Sequence, residues 1–160
     1  MPLRLVPLRR PDHVGSTFLV LAGVVTNVSL WLPWLRGGDV IGLSLVGQGF
    51  DVLGSGPREL ARSDLWQPFV VVLSGGLLLL LGLSLLVPAR AHRLVGVLAL
   101  FVALAAGWAV VALLEDGDWR ADRFALGMWF AVAVPAFGLL GAFKAMLTPP
   151  RVAVAPPPPS

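Results

Sequence analysis

The 160-residue chain has no cysteine and no tyrosine, and it holds one lysine (Lys144), one asparagine (Asn27) and one isoleucine (Ile41). Without cysteine there is no disulfide, no thiolate chemistry and no Cys-ligated metal. Charge is scarce as well. Asp, Glu, Lys and Arg make up 13% of the residues, against about 25% in soluble domains. With 57% hydrophobic residues and a mean hydropathy of +0.85, the chain lacks the polar surface that a soluble domain of this length needs. These shortages exclude a cytosolic enzyme, a nucleic-acid-binding module and a disordered regulator. The net charge of +3 comes from basic residues spread along the chain, which form no patch of the kind nucleic acid requires. The near-absence of Lys, Asn, Ile and Tyr resembles the codon bias of a GC-rich genome.

What the chain does have is four long uncharged stretches: 14–32, 68–88, 94–114 and 124–143. About 20 helical residues cross a hydrocarbon core of about 30 Å. Helix is the reading that satisfies backbone groups in lipid, and the alternation of a barrel is absent. The expected fold is therefore an all-α membrane protein, a four-transmembrane-helix bundle. The first stretch ends in Trp31-Leu32-Pro33-Trp34, where a signal peptide would have small residues for cleavage, so it reads as a retained anchor. Pro11 after Arg9-Arg10 likewise fits a twin-arginine signal poorly.

Orientation follows the basic residues. Segments 1–13, 89–93 and 144–160 hold Arg4, Arg9, Arg10, Arg90, Arg93, Lys144 and Arg151 with one acid, Asp12. Segments 33–67 and 115–123 hold Arg36, Arg58, Arg62, Arg120 and Arg123 with eight acids. Both ends are thus expected in the cytoplasm, in the plasma membrane of a bacterium. Tryptophan agrees: Trp31, Trp34, Trp66 and Trp119 fall at the outer ends of the spans, with Trp108 and Trp129 in the outer halves. The first four are candidate interface anchors, because an amphipathic indole is best solvated at that level.

In the first outer loop, the β-formers of 39–46, Gly47-Gln48-Gly49 and 50–53 predict a short β-like hairpin. Pro57 and Glu59 then predict a short helix running to Trp66. The five-residue link 89–93 makes the second and third spans antiparallel neighbours. Residues 148–160, with Pro149-Pro150 and Pro156 to Pro159, read as a disordered or polyproline tail.

Chemistry-bearing residues are few. Glu115, Asp116, Asp118 and Asp122 form an acidic turn that reads as solvated, without the residue order of a calcium loop. His13 and His92 sit beside arginines in flanking segments and read as interfacial. No Ser-His-Asp set or carboxylate pair is legible, and no cofactor or metal is implied. Asn27 is the costliest polar residue of the spans to leave unpaired in lipid, so it is expected to face another helix. Ala99, Ala103 and Gly107, like Gly138 and Ala142, repeat small residues at four-residue spacing for close helix packing. Pro135 interrupts the fourth span and is expected to kink it. Three N-terminal arginines fall short of a strong anionic-lipid cluster, and the proline tail reads as a bare tail ahead of an SH3 ligand.

The segment Trp31-Leu-Pro-Trp34, followed by the Gly-rich Arg36-Gly-Gly-Asp-Val-Ile-Gly-Leu-Ser-Leu-Val-Gly-Gln-Gly49, resembles small four-helix, tryptophan-rich membrane proteins of actinobacteria. The layout is also similar to claudin-like proteins, without their Cys pair. Neither resemblance carries a functional residue. The chain therefore reads as a non-catalytic accessory or scaffold subunit whose partners are the bilayer and another membrane protein or itself, with no nucleic acid. The alternative is a small oligomeric transporter or pore. Alkaline phosphatase fused at either terminus should be inactive, and the same fusion inside 40–60 should be active; the reverse pattern would invert the orientation.

Overall fold

A computed structural model describes residues 5–8, 11–37, 40–87, 92–147 and 151–154. The chain runs β1 (Leu5–Leu8), α1 (His13–Leu30), α2 (Gly42–Ser55), α3 (Pro57–Arg62), α4 (Trp66–Leu86), α5 (His92–Asp116), α6 (Leu126–Leu147) and β2 (Arg151–Val154), with a single 3₁₀ turn at Ala121–Arg123 before α6. Four of these helices, α1, α4, α5 and α6, are long and apolar enough to cross a membrane. They form a ring in which α1 and α5 each pack on α4 and α6, with a lighter contact between α4 and α6 across the diagonal. The second and third spans are neighbours, as the short link requires. β1 pairs antiparallel with β2, Leu5 opposite Val154 and Leu8 opposite Arg151, so the two terminal segments lie at one end of the bundle.

Why this ring holds follows from what lines it. Lipid tails are as apolar as leucine, so helices associate through close van der Waals fit rather than hydrophobic burial. The interior is built accordingly: Ala22, Ala99, Ala103, Ala106, Ala109, Ala131, Ala142 and Ala145 are fully buried. The large side chains point outward instead; Leu80, Phe101, Trp108 and Leu147 are all more than 60% exposed. Three glycines set the spacing between helices. A Cβ on Gly82 would stand 2.9 Å from Leu19 Cβ, one on Gly141 2.6 Å from Leu19 Cδ2, and one on Gly138 2.8 Å from Leu78 Cδ1 and 2.9 Å from Ala103 Cβ. The Ser16 hydroxyl donates to the Gly82 carbonyl at 2.8 Å, which locks the α1–α4 seam. At the start of α1 the Asp12 carboxylate accepts the Gly15 N–H at 3.1 Å, an N-cap of the usual kind.

Three expectations for the connections change. The hairpin across 39–53 is replaced by the helix α2, Gly42–Ser55. The local β-propensity of Val and Leu loses to tertiary packing, because Gly42, Val46 and Gly49 fall on one helical face and are the buried residues of α2. Of the expected extended structure, an isolated bridge between Pro33 and Ile41 is what remains among the described residues. The helix beginning at Pro57 starts where the sequence places it, but it ends at Arg62, and Trp66 opens α4. Arg151–Val154, read as disordered tail, forms β2; residues 148–150 and 155–160 lie outside the described residues.

Replacing Gly138 with valine should cost about 1–3 kcal/mol, the usual penalty of overpacking. Gly47→Ala, where no atom lies within 4 Å of the new Cβ, should leave stability unchanged or raise it by up to about 1 kcal/mol. Denaturant titration of both variants in mild detergent checks the pair.

Candidate functional site

The end of the bundle opposite the paired termini is closed by a cap, and Trp34 is its centre. This indole is 2% exposed and donates Nε1–H to the Ser29 carbonyl at 2.9 Å, one of the carbonyls that the end of α1 leaves over. Gly42 and Gly127 leave room for the ring: a Cβ on either would approach Trp34 to 2.6 or 2.7 Å. The backbone around it is stitched to the start of α6. Ala125 N–H donates to Trp34 O at 3.0 Å, Gly127 N–H to Pro33 O at 3.0 Å, and Arg36 N–H to Arg123 O at 2.9 Å. Leu35 forms an isolated bridge with Phe124, whose ring is 2% exposed. The connections from α1 to α4 and from α5 to α6 are therefore one packed unit.

On its other side the cap rests on α4. Val46, Leu60 and Phe69 form a small second core, with Leu30, Trp66 and Val72 around it. Phe50 meets Phe69 edge-on with ring centroids 4.9 Å apart, a favoured aromatic geometry. Phe50 remains 54% exposed and Leu43 43% exposed. Between them Gly47 is exposed, with no atom within 4 Å of where a Cβ would stand. Spaced at i, i+4 and i+7, these three residues lie on one helical face as a partly exposed apolar stripe with a notch, on the flank of α2, with its Phe50 end resting on Phe69. On sequence alone Leu43 and Phe50 fall on the two arms of a hairpin with Gly47 in its turn, so the stripe emerges only once α2 is helical.

The tryptophans divide by role. Trp31, Trp108, Trp119 and Trp129 are exposed, Trp66 is half-buried, and Trp34 belongs to the core. All six stand toward the capped end. Trp34 is thus a packing centre rather than an anchor facing the membrane surface.

The acidic turn is held by local partners. Asp116 accepts from Gln67 Nε2 at 2.6 Å, Asp118 pairs with Arg123 at 3.2 Å and Asp122 with Arg120 at 3.3 Å. Among the described residues no three acids or histidines converge as metal ligands do. The hydrogen bond from Arg120 holds the Asp122 carboxyl below its ordinary range, so its small contribution is present above that range and lost as pH falls. Trp119 N–H donates to Leu114 O at 2.9 Å, closing α5 in a Schellman-type turn. Its αL residue is Asp118, φ 55°, where glycine is usual. In the connection between α1 and α4, Arg62 pairs with Glu59 at 3.8 Å, an exposed pair of little weight.

Of the packing candidates, Ala99, Ala103 and Ala142 are fully buried, Gly138 is buried and Gly107 half-buried. Pro135 sits inside an unbroken α6, with Gly107 opposite it: a Cβ added there would stand 3.6 Å from Pro135 Cβ. Asn27 departs from expectation: it is exposed on the outer half of α1 and lines a groove between α1 and α4. His13 is exposed and His92 half-buried at the end that carries the termini.

No family model, curated protein or solved structure matches this chain. Its site is described by its own geometry alone.

Trp34→Ala should cost about 3–5 kcal/mol, as removal of a buried aromatic does, and should open residues 33–67 to protease in spheroplasts. Trp31→Ala, at a position 65% exposed, should leave the cleavage pattern unchanged.

Proposed function

We propose that this chain is a non-catalytic integral membrane protein of the bacterial cytoplasmic membrane, with both ends in the cytoplasm, acting as an interaction subunit. The observation that carries the reading is the stripe Leu43, Gly47 and Phe50 on a cap fixed to the bundle at Trp34. A knob–notch–knob face on a pinned helix is already ordered before a partner arrives, so binding loses little conformational entropy. The exposed parts of Leu43 and Phe50 suit an apolar helix of another membrane protein, received as in helix-in-groove recognition. The orientation rests on the excess of Arg and Lys in the segments expected inside.

The other support is how the polar groups of the spans are used. Thr26 donates to Ala22 O, Ser29 to Thr26 O and Ser84 to Leu81 O, leaving these hydroxyls engaged with the backbone. A pore assembled from several copies needs a continuous polar wall. Apart from His13, Arg93, Glu115, Asp116 and Lys144 toward the helix ends, the exposed polar side chains of the described spans, Thr17, Asn27 and Ser84, are scattered.

A photo-crosslinking residue at Leu43 or Phe50 should yield one discrete adduct with a second membrane protein in native membranes, and the same probe at Ala61, exposed on α3, should not. Replacing both Leu43 and Phe50 with glutamate should reduce recovery of that partner at least tenfold, as loss of a central apolar contact does. Equal adducts from all three positions would refute the reading.

A further inference from the structure

The groove between α1 and α4 has a volume of about 350 Å³ and is lined by Gly23, Val24, Asn27, Val28, Gly76 and their neighbours. It opens sideways, toward lipid: Val24 is 49% and Val28 39% exposed, and Asn27 is exposed beside them. Its depth is fixed by the chain, three residues before the end of α1, or about 5 Å at helical rise. Thr26 in the same wall donates its hydroxyl to Ala22 O at 2.8 Å. Asn27 has no such arrangement; among the described residues its carboxamide makes no hydrogen bond. Opposite it, Gly76 has no atom within 4 Å of a Cβ position, so the α4 wall has a recess that no side chain of the same chain fills.

An exposed amide on a bilayer-spanning helix calls for a partner that acyl chains do not supply. We infer that the α1–α4 groove is the interface of a parallel homodimer in which Asn27 of each copy hydrogen-bonds Asn27 of the other. Two arguments select a second copy. A carboxamide carries both N–H donors and a carbonyl acceptor, so it is its own hydrogen-bond complement and two of them form a reciprocal pair. A two-fold axis along the bilayer normal, the commonest symmetry of oligomers, also brings the two amides together at equal depth without further adjustment. Val24 and Val28 of one copy then meet the recess at Gly76 of the other, the close approach that small residues permit. The inference does not depend on what binds the cap, which lies on other residues.

The absence of cysteine makes the test direct. Val28→Cys in native membranes, under mild oxidation, should give a disulfide-linked dimer, and Leu98→Cys on α5, 46% exposed and on the opposite corner of the ring, should stay monomeric. Adding Asn27→Leu to Val28→Cys should lower the dimer association constant about tenfold, the scale of an interhelical hydrogen bond in membranes; Asn27→Gln should retain most of it. Val28→Cys that remains monomeric, or that crosslinks no better than Leu98→Cys, overturns the proposal in otherwise native protein. A dimer indifferent to Asn27→Leu overturns the pairing. A monomer whose co-purified lipid changes with Asn27→Leu assigns the groove to lipid and overturns it as well.

Discussion

The constraint on which this structure depends is that helices in lipid gain almost nothing by hiding apolar surface from an equally apolar solvent. Association has to come from contact at short range, and the sequence answers by putting its smallest side chains inside. Leu19 illustrates the consequence. Fully buried, it is one of the few large side chains in the interior, and it fits because Gly82 and Gly141 face it from two helices. The Ser16–Gly82 hydrogen bond becomes possible only at that spacing, and the Asp12 cap then fixes where α1 begins. Around this small interior many of the large apolar side chains, Leu80, Phe101 and Leu147 among them, face outward, which a soluble bundle could not sustain.

The cap obeys a different rule, because it lies at the ends of the four apolar helices. There Pro33, Trp34, Arg36 and Arg123 pair with one another's chain segments. Trp34 supplies the reason. One large indole can be dried only if segments distant in sequence close over it. Glycine at positions 42 and 127 lets α2 and α6 do so.

What could be read in advance follows the same division. The four spans were legible because a run of about 20 apolar residues has one economical conformation in lipid. The neighbouring placement of α4 and α5 was legible because a five-residue link permits little else. The first outer loop was not. Its valines and leucines favour a strand locally, and the helix α2 is decided by Phe69 and the end of α1, neither of them nearby in the chain. Trp34 reads as an interface anchor on sequence and lies in the core, since composition separates a tryptophan at an interface from one in a core no better than it separates strand from helix here. An unpaired amide is costly in lipid, which on sequence alone turns Asn27 inward. The single chain leaves it outside nonetheless.

The pairing of α1 with α6 sets the order in which the protein can be completed. Three of the four seams join helices that follow one another among the spans, so each can form as soon as its second helix has been synthesised. The seam between α1 and α6 joins the first of the four to the last, and β1 with β2 extends it beyond the helices. Until α6 enters the membrane, the side of Leu19 and Gly15 that will meet Gly141 faces lipid alone. The final act of assembly is therefore closure of a circle rather than addition to a row, and the cap, whose Trp34 needs the start of α6, is finished by the same event.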